Sequence, residues 1–430
     1  MNKRLVTAVL LIVFLVIAAG MAACGDGETA TTSGAPATTA GAATTAPSTS
    51  ESTTQTTATA GEVKTLQIGL ITSVTGPFAA AFKAQYDALK PTQDLINSRG
   101  GFKIGNDTYQ IEIVAEDDQS TTAGSLTAIE RIVGKGIHFL IPPMVMPVNI
   151  AIQQTCEDNE ILSFKPVGAN TIELNPNLPH SMYVRSGVPY IKPFYEYISG
   201  KYPNAKRIAL IYADDPGGAT YDELAREAIA AHGMEIVYSE LYPTGTADFY
   251  PILNKALAAK PDAIELLFGI PPWTSAVINQ ARELGFTGPI WGCCPMGDPN
   301  IINAMITPQY AYDIVCGSEM DVLSDQMPDI VKELRPMVEA TGSPFTMDSP
   351  MPLDAIYIMI QCIEKAQSID PKVVLAAIDE MGTFDTIWGP ATWGGTDIWG
   401  KNVFGIDHVV IGPNMLSWIQ DGKVGYEVLE

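Results

Sequence analysis

The stretch Leu66-Gln67-Ile68-Gly69-Leu70-Ile71-Thr72-Ser73-Val74-Thr75-Gly76-Pro77 decides the fold. Its first six residues form a short apolar run that reads as a buried strand. A turn at Thr75-Gly76-Pro77 follows, then a helical pattern that ends at Gly100-Gly101. Pro91 interrupts this pattern and is expected to kink or restart the helix. Strand and helix then alternate. Strands are predicted over 109–116, 138–141 and 161–166, and helices over 121–134 and 148–159. After an irregular connection at 187–191 the pattern restarts. Strands at 207–213, 235–241, 262–268 and 289–293 alternate with helices at 221–231, 249–259 and 275–284. Such alternation implies parallel sheets with helices on both faces. The expected fold class is α/β, with two doubly wound parallel-sheet lobes. Ligands of open parallel sheets bind beyond the carboxyl ends of the strands. The loops of interest are therefore 73–78, 142–147, 166–171, 214–221, 269–274 and 294–298.

The whole chain has 430 residues, more than one hydrophobic core usually fills. It carries 25 Lys plus Arg against 48 Asp plus Glu, a formal net charge of −23. That balance argues against a nucleic-acid partner, which needs clustered basic side chains. His138, His180, His232 and His408 lie far apart, with no His-x-x-x-His pair and no Cys-x-x-Cys, so no metal site is expected. Cys156, Cys293, Cys294, Cys316 and Cys362 are an odd set with an adjacent pair and do not read as a disulfide framework. A bond from Cys293 or Cys294 to Cys316 and five buried thiols are both open readings.

Lys3 and Arg4 precede an apolar run from Leu5 to Ala19, broken only by Thr7, and then Met21-Ala22-Ala23-Cys24. This reads as an export signal over 1–23, with a transmembrane helix as the competing reading. The small residues before Cys24 and the segment after it favour the signal. That segment, 25–63, holds 13 Thr and 9 Ala and one large aliphatic residue, Val63. It cannot bury enough apolar surface to offset its ordering entropy, so 24–63 is expected to be a flexible tether. The tetrad resembles a bacterial lipobox, which would make Cys24 a lipidated N-terminus and place the protein on the extracytoplasmic face of the membrane.

Catalytic motifs are missing. There is no Gly-x-Ser-x-Gly elbow and no Gly-x-x-x-x-Gly-Lys-Ser/Thr loop, and the first strand is not followed by Gly-x-Gly-x-x-Gly. The acids Glu116-Asp117-Asp118 and Asp214-Asp215 lie at strand ends, where capping or solvation outweighs a metal or acid/base role. No enzyme activity and no cofactor are expected.

The chain resembles the type I periplasmic binding proteins, and within them the branched-chain amino acid receptors of ABC transporters. The resemblance rests on Ile68-Gly69-Leu70-Ile71 with Thr75-Gly76-Pro77, Ile96-Asn97, Gly100-Gly101 and Glu116-Asp117-Asp118-Gln119. It continues through Asp248-Phe249, Gln280-Ala281-Arg282-Glu283-Leu284-Gly285, Gly389-Pro390-Ala391-Thr392-Trp393 and Asp421-Gly422-Lys423. It implies two lobes, 64–186 with 295–391 and 187–294 with 392–430. Three crossovers would fall near 185–188, 293–295 and 391–395. Arg185 would brace this hinge. The four tryptophans at 388, 393, 399 and 418 would serve the closing hairpin and inter-lobe packing.

The resemblance also implies a ligand site. Family positions for two carboxylate-binding hydroxyls fall at Met146 and Ala169, the ammonium-binding acid at Trp273, and an aromatic near Thr220, beside Tyr221. The candidate ligand-binding set is Phe78, Met144, Val145, Met146, Gly168, Ala169, Asn170, Thr220, Tyr221, Gly269 and Trp273. For Phe78, core and cleft are equally open. Three polar anchors are thus replaced by Met, Ala and Trp, which points away from a free α-amino acid and towards a small apolar or aromatic ligand. Asn170, Thr220 and Tyr221 would be its polar handles. The implied partners are ABC permease subunits and the membrane, through Cys24, and the receptor would be a monomer. The alternative is a tethered sensor of the same fold that signals to a membrane partner. Cys24→Ala is expected to release the protein from the membrane fraction. Continued integral retention would indicate an uncleaved helix instead.

Overall fold

The computed structural model describes residues 61–429 apart from 167, 169–172, 215, 268, 318 and 319. The expected signal, the tether through residue 60 and Cys24 lie outside the described residues. In chain order the first elements are β1 (Val63–Thr72), α1 (Ala79–Asp87), α2 (Leu89–Ser98), β2 (Phe102–Ile104), β3 (Asp107–Asp117) and α3 (Thr122–Gly134). Then come β4 (Phe139–Ile141), α4 (Met146–Asp158), β5 (Leu162–Lys165) and β6 (Ser181–Tyr183). The second set is α5 (Ile191–Lys201), β7 (Arg207–Ala213), α6 (Pro216–Ala231), β8 (Glu235–Tyr242), α7 (Tyr250–Ala258), β9 (Ala263–Leu267), α8 (Pro271–Glu283), β10 (Ile290–Gly292), α9 (Pro299–Met305) and β11 (Ile314–Gly317). The chain closes with α10 (Asp329–Glu339), α11 (Met351–Ala366), α12 (Pro371–Asp379), β12 (Phe384–Thr386), β13 (Gly389–Gly394), β14 (Val409–Ile411), β15 (Asn414–Gln420) and β16 (Lys423–Leu429). Pro91 lies in the first turn of α2, after a break at Ala88. A proline there forfeits no intrahelical hydrogen bond, so the helix restarts rather than kinks.

Two sheets form. The first has the order β12-β13-β14-β6-β5-β4-β1-β3-β2, the second β16-β15-β11-β10-β9-β7-β8. Their parallel parts, β3-β1-β4-β5-β6 and β8-β7-β9-β10-β11, repeat one doubly wound order. In both, the first strand is flanked by the second and third, so the winding direction reverses beside it. Period-two alternation in β1 explains the layering. Leu66, Ile68 and Leu70 enter a core shared with α11 residues such as Leu353 and Ile356. Ile71 faces Ile129 and Ile132 of α3. Gly69 shares that second face, and a Cβ there would lie 2.9 Å from the Ile132 Cδ1.

The strand pairings correct two expected crossovers. β11 pairs in parallel with β10 through Ile290 with Ile314, Trp291 with Val315 and Gly292 with Cys316. The chain therefore stays in the second sheet beyond 293–295 and leaves it only after Gly317. β13 and β14 both pair within the first sheet, so the last crossing lies at residues 412–413 rather than 391–395. Between those two strands, Ile398 and Phe404 pack into a buried cluster with Ile208, Leu210 and Trp291 of the second lobe. The segment visits the second lobe without changing sheet. All five described cysteines are buried and none forms a disulfide.

Hydrogen bonding ties the crossovers together. The buried Tyr190, in a short helical turn just after the first crossing, donates its hydroxyl to Gly412 O at 3.2 Å and accepts from Gly412 N at 3.1 Å. Arg185 Nη1 reaches Met320 Sδ at 3.6 Å, joining the first crossing to the second. Asp354, in the first turn of α11, accepts from Ile387 N at 3.2 Å and from Trp388 Nε1 at 3.0 Å. Burial raises its pKa to about 6, against the pull of these donors and of Arg185. Tyr190→Phe leaves a backbone N–H and C=O without their partner and is expected to cost about 1–3 kcal/mol. The check is a lower urea midpoint with an unchanged m-value.

Candidate functional site

The reversal of winding beside β1 and β7 selects the loops after β1 and β4 in one lobe and after β7 and β9 in the other. The β1 loop is shaped by two adjacent acids. Asp117 Oδ1 accepts from Val74 N at 3.0 Å and Thr75 N at 3.2 Å, and its Oδ2 accepts from Thr75 Oγ1 at 2.6 Å. Asp118 Oδ1 accepts from Ser73 Oγ and Ser120 N, both at 2.7 Å. Burial pushes the Asp117 carboxyl up, but the donors from Thr75, Gln119 and Val74 win and hold it below the usual carboxylate range. Glu116 is paired with Arg131 and Lys135. These acids therefore work as loop clamps. Gly76 is obligatory, with φ of 90° and only 2.4 Å between a would-be Cβ and Gln119 O. Phe78 ends this loop with 43% of its surface exposed, its N–H donated to Ser120 Oγ at 3.1 Å. It lies outside the buried core.

After β4, Met144 is partly buried against the first-lobe core. Val145 is the extended N-cap of α4, with no side-chain cap, and Met146 is the first residue of that helix. Phe78, Met144, Val145 and Met146 thus share the strand-end rim. Gly168 lies one strand further along, at φ 131°, with its N–H on Arg185 O at 3.1 Å. Ala169 and Asn170 lie outside the described residues, as does the side chain of Thr220.

Beneath Gly168 is a polar knot that the sequence reading missed. Lys165 and Glu173 form an ion pair with both side chains 2% exposed. The Lys165 Nζ lies 5.6 Å from the Tyr183 ring centroid. Tyr183 donates its hydroxyl to Glu173 O at 3.2 Å and accepts from Asn149 Nδ2 at 3.2 Å, while Gln153 Nε2 donates to Glu173 O at 2.7 Å. A Cβ at Gly168 would sit 3.1 Å from both Lys165 Nζ and Glu173 Oε2. Burial pulls the Lys165 ammonium's pKa down, against the attraction of Glu173. The available signal was one lysine ending an otherwise buried apolar strand, Ile161-Leu162-Ser163-Phe164-Lys165.

In the second lobe, Gly269 donates its N–H to Pro295 O at 3.0 Å, and Thr274 Oγ1 donates to Met296 O at 2.7 Å. These bonds stitch the β9 and β10 loops together. Trp273, in the first turn of α8, is half-buried and packs edge-to-face on Tyr242, with centroids 5.9 Å apart and planes at 81°. Tyr221 departs from its expected role as a polar handle. It is buried in the second-lobe core and its hydroxyl is engaged by the Gly187 backbone, so it packs beside the first crossover. Burial raises its pKa well above the ordinary tyrosine value. Trp388 bonds Asp354, Trp393 packs on Phe384 with centroids 5.2 Å apart, and Trp399 and Trp418 pack on the second-lobe cluster.

Two surface hollows, of about 420 and 390 Å³, lie elsewhere. One is lined by Glu157, His180, Lys372 and Asp379, the other by Lys260, Asp262 and Phe286. Both lie towards the amino ends of the strands, away from the rim. Among the described residues, no group of three His, Cys, Asp or Glu could hold a metal ion. No described helix is long and apolar enough to cross a membrane.

A family model described as periplasmic binding protein matches residues 65–401. The Leu/Ile/Val-binding protein BraC3 of Rhizobium johnstonii is 22% identical over 229 residues, which are 53% of this chain and 60% of that relative's length. Among solved structures, a leucine binding protein, LivK, from Thermotoga maritima superposes with a TM-score of 0.66 at 18% identity, over 85% of this chain and 99% of that one. A solute binding protein from R. palustris in complex with 4-hydroxybenzoate gives 0.64 at 18% identity, over 85% and 95%.

The Lys165–Glu173 pair is expected to be strongly coupled. Lys165→Met alone should cost about 3–5 kcal/mol by stranding a buried carboxylate, whereas Lys165→Met with Glu173→Leu should recover most of that loss. Denaturant unfolding of both single variants and the double variant checks this. Simple additivity would show that the pair is not coupled.

Proposed function

The chain belongs to the periplasmic binding protein family, and from that premise we propose that it is the substrate-binding lipoprotein of an ABC importer. In this reading, Cys24 anchors it on the extracytoplasmic face, the cleft takes a small apolar or aromatic compound, and the loaded receptor docks as a monomer on permease subunits. The observation that carries the ligand class is the chemistry at three rim positions. The resemblance puts hydroxyls and an acid where this chain has Met146, Ala169 and Trp273. Each lost hydrogen bond to a charged group is worth about 1.5–3 kcal/mol. An ammonium buried without a counter-charge costs several more. Together these terms disfavour a free α-amino acid by orders of magnitude.

What stands at those positions suits a flat or apolar ligand. Trp273 is held by Tyr242, which limits its freedom and offers a preorganised aromatic surface. Met144 and Met146 add polarizable walls that adapt to shape. Asn170 and Thr220 remain the proposed polar handles. The fold accommodates both ligand chemistries, since a leucine binding protein and a 4-hydroxybenzoate complex superpose on this chain about equally well. Calorimetry with leucine and with benzoate-type acids separates them. Benzoate-type binding that falls at least tenfold on Trp273→Ala is expected. Tight leucine binding lost on the same substitution would overturn the ligand class.

A further inference from the structure

Two opposite charges are buried where the strand-end rim meets the seam between the lobes. Lys165 is the last residue of β5, directly before the 166–171 loop, and pairs with Glu173, both side chains being 2% exposed. Val184 donates its N–H to Lys165 O at 2.9 Å and Gly168 donates to Arg185 O at 3.1 Å, so the pair adjoins the first crossover. Leu174, next to Glu173, and Tyr183, whose ring lies 5.6 Å from Lys165 Nζ, share one buried cluster with Tyr221, Cys293 and Cys294 of the second lobe. None of the six strand-end loops contains Lys or Arg, and Lys165 is the only such residue adjacent in sequence to one of them. Gly168 lies directly against both partners, since a Cβ there would sit 3.1 Å from Lys165 Nζ and from Glu173 Oε2. The main chain of Glu173 is anchored independently of its carboxylate. Gln153 Nε2 at 2.7 Å and the Tyr183 hydroxyl at 3.2 Å both donate to Glu173 O.

We propose that Lys165 is the anion-binding residue of the cleft, and that Glu173 holds its ammonium until the carboxylate of an apolar or aromatic acid displaces it. Resting on the receptor reading above, this narrows the ligand class to carboxylates that carry no neighbouring ammonium. An ammonium buried this deeply needs a counter-charge at all times, so only another anion can replace Glu173. The exchange leaves the number of buried charges unchanged, with one carboxylate on Lys165 before and after. Glu173 turns outwards by side-chain rotation alone, because its carbonyl stays anchored by Gln153 and Tyr183. Gly168 has no side chain to bar the incoming group. The resident carboxylate also sets a threshold. A neutral compound gains nothing at Lys165, whereas an acid must outcompete a carboxylate tethered eight positions along the chain, helped by burial of its apolar body. A free α-amino acid is rejected here as well, since its ammonium would come beside that of Lys165, like charge against like.

Calorimetry on the full-length protein in detergent, with benzoate and its uncharged isostere benzamide, tests the exchange. The parent is expected to bind benzoate at least about tenfold more tightly than benzamide. Glu173→Gln keeps the shape of the resident group and removes its charge, so benzoate affinity should rise by about tenfold or more. Lys165→Met with Glu173→Leu, which leaves neither charge unpaired, should bind the acid no better than the amide. That double variant carries the test if Glu173→Gln does not fold. Benzoate affinity that is unchanged or lower in Glu173→Gln, or a benzoate preference retained in the double variant, overturns the exchange. Benzamide bound as tightly as benzoate by the parent, and lost on Trp273→Ala, overturns it while the apolar receptor reading stands. Neither compound binding to any variant overturns it too. Failure of the ligand class itself shows separately, as tight leucine binding lost on Trp273→Ala.

Discussion

Parallel strand pairing is the constraint on which the rest of this structure depends. A parallel strand cannot be reached by a tight turn, so the chain must return by a crossover, most often a helix, to the same starting edge. Every parallel strand of a lobe then ends at one rim. β1, β4, β7 and β9 launch their loops there, and the reversal of winding beside β1 and β7 opens a gap between neighbouring loops. The rim is furnished before any ligand chemistry is added. Asp117 and Asp118 shape the β1 loop, and Thr274 and Gly269 tie the β9 loop to the β10 loop.

The crossover region is the second level of organisation. Tyr190 spans the first and last crossings, Arg185 the first and second, and Asp354 fixes the start of α11 beside Trp388. These are a few polar contacts made by buried or half-buried groups, all gathered at the crossings. The inter-lobe bond from Met347 to Asp298 differs in kind. It joins the bodies of the lobes rather than the strands that link them, with a backbone N–H of one lobe donating to a carboxylate that caps α9 of the other.

Much of the fold was legible in the chain. The apolar run of β7 over Arg207–Ala213 coincides with its predicted bounds, and β3, β8 and β9 agree within two residues at either end. β7 and β9 are buried on both faces over nearly their whole length, which makes them continuous hydrophobic runs with clear ends. Sheet membership was not legible. β11 looks like any other short apolar run, and only its pairing with β10 keeps it in the second lobe. The strand-end rim that holds the candidate site was legible in part. Phe78, Met144, Val145, Met146, Gly269 and Trp273 follow strand ends, and a strand end is a local signal. Tyr221 misled because its position in the loop-to-helix turn is local, whereas the direction of its ring into the core is set by Gly187 and the packing around it. Lys165 and Glu173 were overlooked because eight positions separate them and only the fold around Tyr183 makes them partners.

The sequence by itself determined the α/β class, the alternation of elements, the acidic balance and the kinds of side chain available at each strand end. Those properties follow from composition and periodicity, which act over a few residues and do not need the rest of the chain. Tertiary structure decided which strands share a sheet, where the chain crosses between lobes, which tyrosine is core, and which buried charges are paired. Each of these depends on contacts between residues distant in sequence, where burial turns a shared position into an energy. Lys165 and Glu173 stand as ordinary surface-type charges in the sequence, and only the fold around Tyr183 buries them as a pair.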